Sequence, residues 1–490
     1  MVWPCQPAIN LLNPQAMTKI IEKAYSLLTK PGVKIDHAEA LDILGQHGAK
    51  VDLTKQMVSI SMDLVDRALK SVPKIVDLYD QPGNRAVTLG RDETSFVAGG
   101  SAPFILDFET NRPRPVHTMD LIRFSRLSDS LPFLQHTNPS LIPADIPAKI
   151  KSAFRCFLSL LNTSKPLCLG MSESGLIRLL MDMLVVISGS EAKVREKPRL
   201  SFACCPRSPL CWDELASQNL IDCAKLGLPV RIIPAPISGA TAPVTLVGTI
   251  VQHTAENLCG VVIHQLVQPG ASLIYGTAAT TMDMRNGTSL FGSFESQMTN
   301  VANCQIGKHL GIPTYAIVSM SDAKVIDAQA GFESISGTML GILGGADIIV
   351  GAGMLESGLC QSFEKLVIDN ELCGMGLRLA GGLACEDDAF ADDLIREVAP
   401  NGNFLATAHT LAWSKKELFY PSPVVDRSSR ESFQAEGGKD ASQKAREVVC
   451  KTFKEYEPLP LPEKERNGLV QIMMAQAKKC GVNQLPDYDI

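Results

Sequence analysis

The 490-residue chain has no excess of basic charge: 46 Lys plus Arg stand against 52 Asp plus Glu, a formal charge of −6, and the charges are scattered rather than gathered into a stripe. That argues against a nucleic-acid partner, which needs clustered Lys and Arg to neutralise phosphates. The chain also lacks an apolar run fit for a bilayer. Residues 244–263 come nearest, but they contain His253, Glu256 and Asn257 and read as a buried helix. The opening MVWPCQPAINLL has no charged segment ahead of an apolar one, so no secretory leader is expected. Its 14 cysteines are strewn from Cys5 to Cys480 rather than packed into a small disulfide scaffold, so reduced thiols in a cytoplasm are expected. Internal repeats and low-complexity stretches are missing. So is the GxSxG of serine hydrolases, and Gly351 and Gly353 lack the third glycine of a dinucleotide loop.

What is present is an ordinary globular composition, 45% hydrophobic and 20% charged, far from the disordered regime. At roughly 150 residues per domain the length suits about three domains, or one large barrel with attached regions. Residues 1–130 read as an N-terminal helical region followed by a small antiparallel patch. Asn13-Pro14 forms an N-cap and first-turn pair ahead of Ile20, Ile21, Ala24, Leu27 and Leu28 at helical spacing. A second helix starts after Asp36, and a third, capped at Ser61, runs to Pro73. Residues 74–80, 86–90 and 95–108 read as short antiparallel strands between Pro-Gly and Gly-Gly turns.

From Leu131 the pattern changes to a repeated unit of short apolar strand, loop and amphipathic helix. Eight strand candidates fall at 131–138, 166–171, 199–206, 229–236, 271–278, 313–320, 346–353 and, least clearly, 403–411. Eight such units predict an α/β fold, a (β/α)8 TIM-type barrel over 131–412, with a C-terminal extension over 413–490. An open doubly wound sheet is the alternative. The reaction site of such a barrel lies at the C-terminal strand ends. There the sequence places His136 and Asn138; Met171 and Ser172; Cys204 and Cys205; Pro236 and Ser238; Tyr275; Ser319, Ser321, Asp322 and Lys324; Gly351, Gly353 and Glu356; and His409. The set is poor in paired carboxylates and rich in small residues, which suits a roomy mouth better than a hydrolase site. In the segment 319–334, Asp322 can cap a turn and Lys324 can project over the mouth, while Asp327, Gln329 and Glu333 run down a helix start. Adjacent Cys204 and Cys205 suit zinc chemically, but neighbours on a strand face opposite ways.

Three stretches resemble the trimethylamine methyltransferase superfamily of corrinoid-dependent methyltransferases. They are residues 234–276, with the run Gly-Ala-Thr-Ala-Pro-Val-Thr-Leu; residues 321–334 together with 344–358; and 402–411 with the later PVVDR, ESF, Gly-Gly and Lys-Ala-Arg. The resemblance covers about residues 95–450. It implies transfer of a methyl group from a methylated amine to the Co(I) form of a cobalamin-type corrinoid carried by a separate small protein. It also implies a place in anaerobic one-carbon metabolism, and self-association. The trimethylamine enzymes of the family contain pyrrolysine; this sequence contains only the twenty ordinary residue types. It therefore resembles the branch that acts on quaternary amines such as glycine betaine, proline betaine, carnitine and γ-butyrobetaine. No Asp-x-His-x-x-Gly corrinoid-ligand motif is present, so the corrinoid is expected to come with the partner rather than be tightly bound here.

That branch has a simple chemical logic. A tertiary amine is a poor methyl donor until its nitrogen is made cationic, whereas a quaternary nitrogen leaves as a neutral amine and needs no general acid. No catalytic side chain and no metal is therefore expected, only positioning and desolvation. Aromatic faces should hold the cation: Tyr275 first, then Phe294, Phe332 and Phe363. Lys324, Arg207, Arg231 or Arg285 should meet a carboxylate, with His136 and His409 as hydrogen-bond donors. Ser321, Asp322, Gln329, Glu333 and Glu356 complete the candidate substrate-binding set. Two other readings are a zinc-dependent corrinoid methyltransferase for another methyl donor, and a betaine-binding protein without turnover.

Overall fold

The computed structural model describes residues 7–488 except 92, 108, 171, 172 and 174. Seven parallel strands form its central sheet: β1 (Ser95–Ala98), β3 (Leu167–Gly170), β4 (Leu200–Cys204), β5 (Val230–Ile232), β6 (Leu273–Thr277), β7 (Thr314–Ile317) and β8 (Ile348–Ala352). The eighth position, β2, is residues 136–137. His136 bridges to Val97 of β1, and Thr137 bridges to Leu167 of β3, both in parallel. Because β1 also pairs with β8, the ring closes. Each strand is followed by a helix: α1 (Thr118–Ser130), α2 (Lys151–Asn162), α3 (Leu176–Ser188), α4 (Glu214–Leu226), α5 (Leu246–Val267), α6 (Phe294–His309), α7 (Ala328–Leu343) and α8 (Phe363–Ala380). This is the (β/α)8 barrel that the strand count predicts, with two corrections to its boundaries.

The first strand is Ser95–Ala98, assigned from sequence to the antiparallel patch. All four residues are buried, as a strand covered on both faces requires, and the Gly99-Gly100 pair leads into a long loop instead of a hairpin. The barrel strands therefore begin near residue 95 rather than 131. Residues 403–411 are not the eighth strand. Thr407 caps a helix, Ala408–Glu417, by accepting from the Thr410 amide, and Leu405 and Leu411 are more than four-fifths exposed, so neither face could line a barrel.

The N-terminal helices are Pro14–Thr29, Ala38–Gln46 and Met62–Ser71. Asn13 and Ser61 accept from the Ala16 and Leu64 amides as the caps predict. They pack on α5. Among the described residues α5 is the one helix long and apolar enough to cross a membrane, and most of it is enclosed within the protein. The antiparallel hairpin Val76–Tyr79 and Arg85–Leu89 plugs the N-terminal end of the barrel. Its Val76, Leu78 and Leu89 join Val97, Ile274, Ile348 and Val350 in one inner cluster. Each such buried aliphatic side chain contributes about 1.5–3 kcal/mol. Asp347, just ahead of β8, ties the plug down: its carboxylate accepts from the Gly90 amide (2.9 Å), the Thr314 amide (2.8 Å) and the Thr314 hydroxyl (2.7 Å). Beyond α8, Ala441–Glu455 packs on α8 and α1, and Glu463–Lys479 on α3 and α2, so the C-terminal segment folds back along the outside of the barrel. The Tyr456 hydroxyl donates to Asp129 at the end of α1 (2.7 Å).

Three histidines are sealed in this framework. Burial pulls His136, His253 and His264 down to about 3 from the ordinary imidazole value of 6.5, helped at His136 by the charges of Arg231 and Lys165. Below about pH 6.5 the unfolded chain takes up protons that the folded chain refuses. Stability is therefore full above that pH and is lost down toward pH 3, by up to about 1.4 kcal/mol per pH unit for each histidine. The thermal midpoint should fall steadily between pH 7 and pH 5, and His264→Gln should shallow the slope by one proton's worth. A slope identical in the variant would show that His264 does not contribute.

Candidate active site at the barrel mouth

Inward and outward positions alternate along each barrel strand, so a side chain's parity decides whether it reaches the lumen. On β5 the middle residue, Arg231, points in; on β7 Tyr315 and Ile317 do. Together with Ala203, Ala278, Val350 and loop residues they line a cavity of about 480 Å³ at the C-terminal end of the barrel. A larger groove, about 670 Å³, lies between surface segments at 423–456 and shares no residue with the strand ends.

Arg231 is 2% exposed, and its guanidinium is held by three strands beyond its own. Nη2 donates to the Leu169 carbonyl of β3 (2.8 Å) and the Ser201 carbonyl of β4 (3.0 Å), while Cζ stands 4.6 Å from the centre of the Tyr315 ring. Its Nε–H is buried without a partner. A second guanidinium, Arg155 on α2, lines the same cavity; its Nη2 donates to the Pro139 carbonyl and its Nε–H is likewise unpartnered. Asn138 adds a buried carbonyl oxygen with no donor. Neither arginine has a carboxylate within ion-pairing distance among the described residues. Two of the thiols that line the cavity do not ionise near neutrality: burial pushes Cys156 and Cys205 up to about 12. Burial also raises the Tyr315 phenol.

The other wall is braced by carboxylates set just behind it. Asp322 accepts from the amides of Phe291 (3.0 Å) and Gly292 (3.0 Å) and from the Ser357 hydroxyl (2.6 Å), and both Phe291 and Ser357 line the cavity. Glu333 accepts from the Ser321 hydroxyl (2.6 Å), the Asp322 amide (2.8 Å) and the Gln329 amide group (2.9 Å). Four residues expected at the site, Ser321, Asp322, Gln329 and Glu333, are thus brought together, as one network joining the loops after β6, β7 and β8.

The other expected residues divide. Glu356 lies beside the lining residues Ser357 and Gly358, and its amide donates to the Ala323 carbonyl. Lys324 is exposed and folded onto the Asp322 carbonyl (2.6 Å), and Phe332 is 60% exposed on α7. His136 lies inside the barrel, bonded to Ser95 (3.0 Å), but does not line the cavity. Three expectations are overturned. Tyr275 points outward from β6 and its hydroxyl meets His253 and Thr254 of α5 (both 3.3 Å), because the inward positions of that strand are Ile274 and Gly276. Phe363 is buried outside the barrel, edge-on to Phe453. His409 stacks on Trp413 in the C-terminal segment. Arg207 and Arg285 are surface residues paired with Asp36 and Asp283. Cys204 is buried in the outer core while Cys205 lines the cavity, and among the described residues no three His, Cys, Asp or Glu side chains converge on a metal position. Met171 and Ser172 lie outside the described residues. The sequence reading missed Arg155, Tyr315, Phe291 and Ser357.

Residues 2–481 match the trimethylamine methyltransferase family along almost the whole chain. The chain belongs to that family. A trimethylamine methyltransferase of Desulfitobacterium hafniense (strain DSM 10664 / DCB-2) is 33% identical over 96% of this chain and 94% of its own. A glycine betaine methyltransferase of Desulfitobacterium hafniense (strain Y51) is 29% identical over 96% and 98%. Among solved structures, the monomethylamine methyltransferase of Methanosarcina barkeri aligns over 96% of this chain and 88% of its own, at a TM-score of 0.48 and 13% identity. The protein is thus an enzyme, a methyltransferase, of a family that works with corrinoid proteins.

The Asp322 brace makes a local prediction for this methyltransferase. Asp322→Ala removes the acceptor of two loop amides, so hydrogen exchange at Phe291 and Gly292 should accelerate by about 10–100-fold while the α5 amides keep their protection. Uniform loss of protection through the barrel would show that Asp322 holds the fold and not the loop.

Proposed function

We propose that the enzyme takes a methyl group from a quaternary amine of the betaine class and delivers it to the corrinoid of a partner protein docked on the C-terminal face of the barrel. The observation that carries this reading is the chemistry of the cavity wall. Among the described residues that line it there is no carboxylate, histidine or lysine, and burial holds the Cys156 and Cys205 thiols and the Tyr315 phenol protonated. Such a site has no group to protonate a leaving amine. A quaternary donor needs none: the N–CH3 bond breaks with its electron pair passing to nitrogen, and a neutral tertiary amine departs. The corrinoid supplies the cobalt(I) nucleophile that takes the methyl group.

The chain's own contribution is then to hold the donor with one methyl facing the mouth and to keep water away. Phe291 and Met320 present apolar surface near the ammonium, and Asp322 and Glu333 behind that wall favour positive charge there. The face around the mouth suits a protein partner. Val244, Met284, Phe294, Val325, Phe332 and Leu359 all sit on loops or helix starts that follow barrel strands, and each is at least 44% exposed. They follow β5 to β8, and an arc of apolar side chains on that side of the mouth fits a docking surface.

Anaerobic incubation with Co(I) cobalamin and a panel of trimethylamine, glycine betaine, proline betaine, carnitine and γ-butyrobetaine tests the reading. Co(I) absorbance should fall with at least one quaternary amine and hold with trimethylamine. Consumption of Co(I) with trimethylamine alone, or with none of the panel, would sink the assignment.

A further inference from the structure

Two cationic side chains in a site meant for a cation call for an explanation. Arg231 is buried, with two of its hydrogen bonds given to backbone carbonyls and one face covered by Tyr315, yet its Nε–H is unsatisfied. Arg155 on α2 lines the same cavity, donates from Nη2 to the Pro139 carbonyl and likewise has a buried Nε–H without a partner. Carbonyl dipoles and a ring face only partly offset the cost of taking a guanidinium out of water; an anion that accepts from the idle N–H groups would offset the rest. Among the described residues the protein provides no such anion, since neither arginine has an ion pair. A bare tetraalkylammonium ion, or one carrying only a hydroxyl, would be repelled by this end of the cavity.

The cavity is polarised as well as positive at one end. Arg231 leans on the carbonyls of β3 and β4, which lie across the closed ring from β7 and β8, whose loops carry Asp322 and Ser357. Positive charge on one side faces negative charge behind the other. A ligand complementary to that field is itself a dipole, with its anion against the arginines and its cation beneath the Phe291 wall.

We propose that Arg155 and Arg231 form a carboxylate-binding pole that admits the quaternary amine only as a zwitterion, and that they are the specificity-determining residues of this enzyme. This rests on the quaternary-amine reading and deepens it. The planar fork of a guanidinium matches a carboxylate, which a lysine at the same place would not do. With the carboxylate fixed at the arginine end, the ammonium methyls are directed to the mouth, where the methyl acceptor arrives. The pole is thus a positioning device as well as a filter.

Calorimetric titration of the full chain separates this proposal from its parent, because it needs no corrinoid. The probes are glycine betaine, γ-butyrobetaine, choline, and 3,3-dimethylbutanoate, which keeps the carboxylate and the shape of glycine betaine but replaces the ammonium nitrogen with carbon. The wild-type protein should bind at least one betaine, bind dimethylbutanoate more weakly, and bind choline about 100-fold less tightly than the betaine, the scale of one or two lost charge-assisted hydrogen bonds. Arg155→Met should weaken the betaine and dimethylbutanoate by about 10–100-fold and leave choline as it was. Arg231→Met should do the same where it folds; Arg155→Met, on a helix outside the strand ladder, carries the test by itself. Choline binding within about tenfold of the betaine, an Arg155→Met loss that is equal for choline and betaine, or no binding of any probe, would each overturn the pole. The two readings fail separately. Choline bound and demethylated would overturn the pole and leave the methyltransferase reading, whereas arginine-dependent betaine binding with no Co(I) consumed would leave the pole and overturn that reading.

Discussion

The guanidinium of Arg231 inside the barrel is the constraint around which the rest is arranged. A charge at that position must be met from all sides in a region of low dielectric, and the strands meet it with backbone: carbonyls of β3 and β4 turn their free lone pairs to it, and β7 supplies the Tyr315 ring. These contacts tie four strands across the lumen and keep the upper barrel from filling with aliphatic side chains. Below that level the barrel is a packed core closed by the hairpin of residues 76–89; at that level it becomes a cavity. The hydrogen-bonding capacity left on Arg231 is what gives the cavity a chemical direction.

A second arrangement follows from the first. A cavity with a positive end and, among its described lining residues, no carboxylic acid, histidine or lysine offers little to a reaction that needs proton transfer, and the carboxylates set behind its wall do structural work. Asp322 spends its oxygens on two amides and a hydroxyl, and Glu333 spends its own on a hydroxyl, an amide and a side-chain amide, so both act through loop positions and field rather than as acids. Their effect is to fix Phe291 and Ser357 against the ligand space. Preorganised wall and preorganised charge are the two levers a methyl-transfer site has when its donor already carries a good leaving group.

The barrel was legible because parallel strands covered on both faces leave unbroken apolar runs between amphipathic helices, and seven of the eight strand runs read from sequence lie in the ring. The same continuity hides parity. In Leu273–Thr277 every residue is buried, so hydrophobicity does not say whether Tyr275 or Gly276 faces the lumen. The aromatic that reaches the cavity is Tyr315 on the next strand, directly beside Gly276 in register. A Cβ on Gly276 would come within 2.5 Å of Ile233, so the strand is bare there because its neighbour fills the space. Arg231 left a visible mark, a charge between Val230 and Ile232 in an otherwise apolar strand. Arg155 left none, because an arginine early in an amphipathic helix looks like any solvated residue.

The strand at Ser95–Ala98 and the helix at Ala408–Glu417 show a second kind of illegibility. Four residues are enough for a barrel strand when both flanks pair, but too few to display a period, and Gly99-Gly100 after it imitates a hairpin turn. Conversely, Leu405, Ala406 and Leu411 supply strand-like apolarity with nothing to cover them. What separates the two cases is burial, a property of the assembled ring rather than of either segment. The same holds for the site. Two arginines, one on β5 and one on α2, are 76 positions apart in the chain and gain a joint meaning only when the closed ring brings them to the wall of one cavity, where no described lining residue is a carboxylate.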